Sequence, residues 1–461
     1  MIVFGYEKFK EDGDPLDNCR DYAFENWKIC DTNTIFLNMF QRVNYNYLFR
    51  KTPGEFNIGM SIKIRNVKNL KDEKYFFPIS VKEFSGALGK KRHSKKIYKD
   101  NVFNHIPEGV LEDVRNDKCK IIIDFGYEGY SKYREDTILF EPLLELFHKI
   151  LDNLSLPPEN IIYLDGNNML EEIELSTKIN YFHYEYCAID QWRFTSMRPE
   201  ALYHGNRISN SNKKKWLDGK DKIREKYFLS FNRLPKLHRI SLVLLLEKYN
   251  LLDLGYVSFG NVSSEGCKTD YVEDWKQTIN QALKTLGVGF YFDKELKTYQ
   301  KQLEKKLPLV IDKENLNNLK HSYEPFDISY YLNSYFQIVT ENQFTDCRDQ
   351  LQFSEKVWKP ITNFQPFILL GDRYQLKKLR EWGFKTFHPF IDESYDDFKG
   401  MTDRFTNVEK QIVRLGMKSK KEIHKWYWSM EEILVYNYKH FYNNFIKNQT
   451  LDLLGRLEGL L

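Results

Sequence analysis

The chain has little cysteine, no long apolar run and no dominant charge, and each scarcity removes a class of protein. Six cysteines stand at positions 19, 30, 119, 187, 267 and 347. No two form a CxxC pair, so spacing suggests neither a zinc site nor a disulfide framework. Reduced thiols in a cytosol-like compartment are the simplest account. No stretch approaches the ~20 apolar residues of a membrane-spanning helix. The opening residues, MIVFGYEKFKEDGD, turn charged too early for a secretory leader, giving the expectation of a cytoplasmic protein without an anchor. Basic residues number 69 against 65 acidic, a formal net charge of +4, too balanced for a dedicated nucleic-acid binder. No fixed-period repeat or low-complexity tract is present.

What remains is an ordinary folding composition in a long chain. At 461 residues it exceeds what one core usually supports, which predicts two domains. Aromatic residues make up 16% of the chain. Rings can stack on sugars or bases, but most will fill core. Local basic runs occur at Lys90–Lys96 and Lys213–Lys215; such runs are ordinarily solvated, the alternative being a phosphate-rich partner.

The organisation is α/β. Lys120–Phe125 reads as a buried strand, Thr137–Leu154 as a helix with Leu143, Leu144, Phe147, Ile150, Leu151 and Leu154 at helical spacing, and Ile161–Leu164 as a second strand. That βαβ unit implies a parallel, doubly wound sheet, with Ile179–Tyr186 expected as another strand. The polar stretch Ser209–Glu225 is expected to connect domains. The grammar then restarts: strands at Tyr227–Phe231, Gly255–Phe259, Tyr335–Thr340 and Pro366–Gly371, with helices over Lys236–Tyr249 and from Glu355 to about Asn363. The expected domains are 1–225, 226–400, and a helical tail over 401–461 in which Trp426, Trp428, Ile433, Tyr436 and Phe441 pack on the body.

The chemistry-bearing residues gather at strand ends and helix starts of the second half. Ser354 is a plausible N-cap, placing Glu355 and Lys356 in a first helical turn, where backbone N–H groups and a lysine favour an anion. An ordinary capped helix with a surface Glu-Lys pair fits the same spacing. Glu341 and Asn342 follow a strand, where sheets of this type present ligand-binding groups. Asn232, Arg233, Lys236, His238 and Arg239 lie between a strand end and a helix start, a natural diphosphate pocket.

The order of these motifs resembles the donor half of the α-1,3-fucosyltransferase family: a basic helix start, then Val-Thr-Glu-Asn, then Ser-Glu-Lys, then Pro-Phe-Ile-Leu-Leu-Gly, spanning roughly Tyr227 to Asp397. The resemblance implies a GT-B fold, two Rossmann-like domains facing a cleft, and inverting transfer from GDP-fucose or another nucleotide sugar to a glycan hydroxyl. It implies that Lys356 contacts the diphosphate, Glu355 the ribose and Arg239 phosphate, with Glu341 near the sugar. No cofactor beyond the nucleotide-sugar co-substrate follows, and no metal is called for; Asp12-Gly13-Asp14 matches a metal motif of a different transferase fold by chance. Trp358-Lys359-Pro360 and Ile391–Tyr395 depart from the well-studied members and look like a diverged phage, large-virus or bacterial branch. In the first half, Glu128 after a strand end is the expected general base, with Asp124, Asp165 and Glu185 as rivals. Two other functions stay open: sugar transfer to hydroxylated bases in DNA, the lysine runs tracking phosphates, and a non-catalytic carbohydrate- or nucleic-acid-binding protein.

Overall fold

Continuous β-branched and aromatic runs form the strands, because a parallel strand is covered on both faces and gains from apolar residues at every position. The computed structural model describes residues 2–6, 62–70, 72–80, 101–125, 140–169, 177–196, 213–232, 236–259, 298–307, 309, 311, 328–345 and 351–461. They form two compact units. Unit 1 comprises Met1–Tyr186, Cys347–Gln352 and Ile446–Leu461; unit 2 comprises Cys187–Asp346 and Phe353–Phe445.

Unit 1 contains a sheet of six strands, β1 (Ile2–Tyr6), β2 (Ile62–Asn66), β3 (Tyr75–Ser80), β4 (Cys119–Phe125), β5 (Ile161–Asp165) and β6 (Asn180–His183). Their order is β2-β1-β3-β4-β5-β6, with every neighbouring pair parallel. Helix α1 (Glu108–Arg115) turns Val110, Leu111 and Val114 into the core, and α2 (Phe140–Asn153) adds Leu144, Phe147 and Leu151. The spacing is that of an apolar stripe on an amphipathic helix. The strand expected over Ile179–Tyr186 stops at His183, and α3 (Tyr186–Ser196) begins there instead.

Unit 2 contains a second parallel sheet, β7 (Phe228–Phe231), β8 (Gly255–Ser258), β9 (Phe336–Thr340) and β10 (Phe367–Leu370), in the order β10-β9-β7-β8. Helix α4 (Leu237–Lys248) follows β7 and is buried from His238 through Glu247. Beyond it lie α5 (Gln300–Lys306), α6 (Glu355–Thr362), α7 (Gln375–Glu381), α8 (Met401–Gly416), α9 (Lys420–Trp428) and α10 (Glu431–His440). Helix α11 (Ile446–Glu458) belongs to unit 1, where it lies against β1. In both sheets the first strand pairs with the second on one side and the third on the other. Such a reversal of strand order opens a crevice beyond the strand carboxyl ends. The register shows it in unit 2: β7 pairs with β9 only at Phe228↔Phe336 and Leu229↔Gln337, while β7–β8 and β9–β10 stay paired to Phe231↔Ser258 and Leu370↔Thr340.

Two expectations about domains change. The polar stretch ending at Glu225 does not divide the units, because residues 213–225 fall within unit 2. Trp216 is buried there, stacked on Phe364 at 4.6 Å between ring centres and donating to the Tyr427 hydroxyl. Arg224 is buried over the Tyr427 ring at 4.0 Å and donates to the Tyr331 and Ser334 carbonyls. One tryptophan and one arginine thus outweigh a lysine-rich surface. The helical tail is also divided, residues 401–445 lying in unit 2 and 446–461 in unit 1. In it Trp426 and Phe441 are buried, Trp428 and Ile433 half-buried, and Tyr436 exposed. Among the described residues, no helix is long and apolar enough to cross a membrane.

Gly255 opens β8 because its neighbour leaves no room: an added Cβ would stand 2.3 Å from the Phe228 ring. Gly255→Ala is expected to destabilise unit 2 by about 1–3 kcal/mol, the usual cost of overpacking. Urea unfolding would check this, and an unchanged midpoint would refute the close packing.

Candidate functional site

Every described site residue of the second half lies in unit 2 at the carboxyl ends of β7 and β9. Asn232 continues β7, its N–H bonding the Ser258 carbonyl at 3.1 Å. Its side chain reaches towards β9, accepting from Thr340 Oγ1 at 2.8 Å while Nδ2 donates to Ser230 Oγ at 2.9 Å. The polar amide thus bridges the two strands where their backbone pairing has ended.

Glu341 follows β9 directly and is buried. Its carboxylate accepts from the Ser354 N–H at 2.9 Å, from the Ser354 hydroxyl and from the Asn342 N–H at 3.1 Å. Burial raises its pKa, opposed by Lys356 and by the Ser354 hydrogen bonds. Its own backbone is equally engaged, the N–H to the Leu370 carbonyl at 2.8 Å and the carbonyl to His238 and Arg239. A buried carboxylate is tolerable only when its lone pairs are filled in this way.

Ser354 is the N-cap of α6, its hydroxyl accepting from the Lys356 N–H at 3.3 Å. That cap places Glu355 and Lys356 in the first turn, at the positive end of the helix dipole. Lys356 Nζ donates to Asn342 Oδ1 at 3.1 Å, Ser354 Oγ at 3.1 Å and Glu355 Oε1 at 3.0 Å. Glu355 is buried; burial alone would raise its pKa, but Lys356 and Lys359 more than offset that and hold it below the usual range. Lys359, one turn on, is buried too, and burial pushes its pKa down to about 8 against the pull of Glu355.

The start of α4 meets the same turn. Lys236, its N-cap, donates to the Asn342 carbonyl at 2.6 Å. His238 is buried, and burial, reinforced by Arg239, holds its pKa well below the usual value, so the ring is neutral. Arg239 is buried and donates to the Thr340 and Glu341 carbonyls at 3.3 and 3.0 Å. Burial lowers its pKa to about 10, with Glu341 and Glu355 pulling the other way. These contacts make Arg239 a brace under the turn. Lys236, Asn342 and Lys356 are the partly exposed members of the group.

In unit 1, Asp124 is buried at the end of β4, paired through its backbone to Ser80 and Leu164. Asp165 accepts from the Tyr163 hydroxyl at 2.8 Å and the Asn167 N–H at 2.7 Å, which shapes the turn after β5. Glu185 accepts from Asn168 Nδ2 at 3.3 Å and lies 3.3 Å from His183 Nε2. Glu128, Arg233, Asp12, Asp14 and Lys90–Lys96 lie outside the described residues. Among the described residues, no three or more of His, Cys, Asp and Glu group in a way that could hold a metal ion.

Sequence reasoning missed Lys359, Asp372 and Arg404. Gly371-Asp372 carries the same signal as Thr340-Glu341, a carboxylate just past a strand; Arg404 has no local signal. The chain is of mixed α/β class with parallel, Rossmann-like sheets. No family model, no curated protein and no solved structure matches it.

Ser354→Ala would remove a helix cap and one donor to a buried carboxylate. It is expected to cost about 1–3 kcal/mol. Denaturant unfolding checks it, and a loss under ~0.5 kcal/mol would show that the cap is not formed in solution.

Proposed function

We propose that the chain is an inverting glycosyltransferase of the GT-B type, binding the diphosphate of a nucleotide sugar in unit 2. The observation that carries this reading is the convergence of two helix starts on one turn. Lys236, Arg239, Lys356 and Lys359 gather around Glu341, Asn342 and Glu355, with His238 neutral, so positive charge exceeds negative within the cluster. A leaving diphosphate needs such an excess where its charge develops. The same strand order in both sheets supports two Rossmann-like domains, and a switch-point crevice is where such sheets bind nucleotides.

In this mechanism Lys356 exchanges the neutral acceptors Asn342 Oδ1 and Ser354 Oγ for phosphate oxygens, a stronger charge-assisted bond. Lys236 supplies a second cation, and the N-terminus of α6 a favourable dipole. Glu355, kept ionised by its two lysines, accepts from ribose hydroxyls. Arg239 and Glu341 hold the turn rigid. The acceptor hydroxyl oxygen attacks the anomeric carbon as the bond to the diphosphate oxygen breaks. Its proton passes to a general base, for which Glu128 and Asp124 are the residues to vary first. Transfer to a glycan is preferred over transfer to DNA, since the balanced charge gives phosphate backbones little to bind.

Lys356→Ala is expected to weaken binding of the cognate nucleoside diphosphate by about 10–100-fold, the worth of one charged hydrogen bond. Calorimetry after a thermal-shift panel of nucleotide sugars measures it. Undiminished affinity in the variant would show that the ligand site lies elsewhere.

A further inference from the structure

The segment from Glu341 to Thr345 is gripped at its far end by two side chains from distant parts of the chain. Arg404, in the first turn of α8, is buried; Nη1 donates to the Thr345 carbonyl at 2.7 Å and Nη2 to the Gly371 carbonyl. Its guanidinium lies 4.5 Å from the centre of the Phe344 ring. Asp372, two residues past β10, accepts on Oδ1 from the Thr345 N–H at 3.2 Å and the Thr345 hydroxyl at 3.0 Å. Thr345 is thus held by its N–H, its side chain and its carbonyl, and the loops after β9 and β10 are stapled together.

The other oxygen of Asp372, Oδ2, is buried with no hydrogen-bond partner. Burial pushes this carboxyl up to about 7, with Arg404 opposing and Glu341 adding to the rise. His238 of α4 packs on Phe344 at 5.8 Å and is neutral, and Arg373 turns away to the Asp397 carbonyl at 3.0 Å. The ionised carboxylate therefore costs stability at and above neutral pH. Groups retained at such a cost are expected at functional sites rather than in passive structure.

We propose that Asp372 and Arg404 are positioning residues for the diphosphate site: they fix the Glu341–Thr345 segment so that Asn342 stays within reach of Lys236 and Lys356, and Asp372 does so as the carboxylate. This rests on the diphosphate reading of that site. Protonated, Asp372 is as neutral as the side chain in Asp372→Asn, so the two chains converge as pH falls below 7.

The test compares the wild-type chain with Asp372→Asn, using inorganic pyrophosphate as the probe at pH 5.5, 7 and 8.5. Removing a negative charge would by electrostatics alone tighten pyrophosphate binding. Positioning requires the opposite: severalfold weaker binding by the variant at pH 8.5, the ratio of the two affinities closing to one at pH 5.5. Taking the ratio cancels the titration of pyrophosphate itself. The sign of the stability effect is also fixed. The raised pKa means that the destabilisation is fully present above pH 7 and is lost as pH falls towards 4. Asp372→Asn therefore melts higher than wild type at pH 8.5, and the gain shrinks at pH 5.5. Amide hydrogen exchange over residues 341–345 gives a readout independent of any ligand. It should quicken in the variant at pH 8.5, after correction for intrinsic rates, and match the wild type at pH 5.5. Equal or tighter pyrophosphate binding by the variant at pH 8.5 would overturn the proposal. So would unchanged exchange at pH 8.5. If wild type binds no pyrophosphate, the diphosphate reading falls, and the exchange result alone decides whether Asp372 holds the segment.

Discussion

The buried carboxylate of Glu341 ties together four elements that sequence alone keeps far apart. Its side chain caps the approach to α6 through Ser354, its N–H pairs with the end of β10, and its carbonyl anchors His238 and Arg239 of α4. A carboxylate taken out of water is unfavourable unless donors replace the solvent, and here they come from Ser354 and Asn342, with Lys356 nearby. Satisfying it fixes where α6 starts, while the backbone carbonyl of the same residue holds the start of α4. The cations at those starts are thus held on one turn, Lys356 beside the carboxylate and Lys236 and Arg239 on the backbone carbonyls.

The elements that were legible are those whose signals are local. β4, α2 and β5 announce themselves because buried parallel strands read as unbroken apolar runs and α2 repeats Leu144, Phe147 and Leu151 on one face. The same holds for β7, α4, β9 and β10, which structure and sequence place within a residue or so. The first three strands went unread for specific reasons. β1 is only Ile2–Tyr6 before charged residues intervene, β2 carries Lys63 and Arg65 in alternation, and β3 contains Pro78.

The site divides along the same line. Ser354, Glu355 and Lys356 follow from a capping signal, and Glu341 with Asn342 from a strand end, so both were visible. The direction of Arg239 was not, because α4 is covered on all sides and carries no polar face to orient it. Arg404 and Asp372 meet Thr345 only through tertiary packing, across sequence separations no local rule spans.

The division of the chain also orders its assembly on the ribosome. Unit 2 has all of its residues once Phe445 has emerged, but unit 1, begun first, still waits for Ile446–Leu461 to supply the helix against β1. Vectorial synthesis usually lets an amino-terminal domain finish first. Here the order inverts: the later-made body has its full complement of residues while the earlier one still lacks the helix against β1.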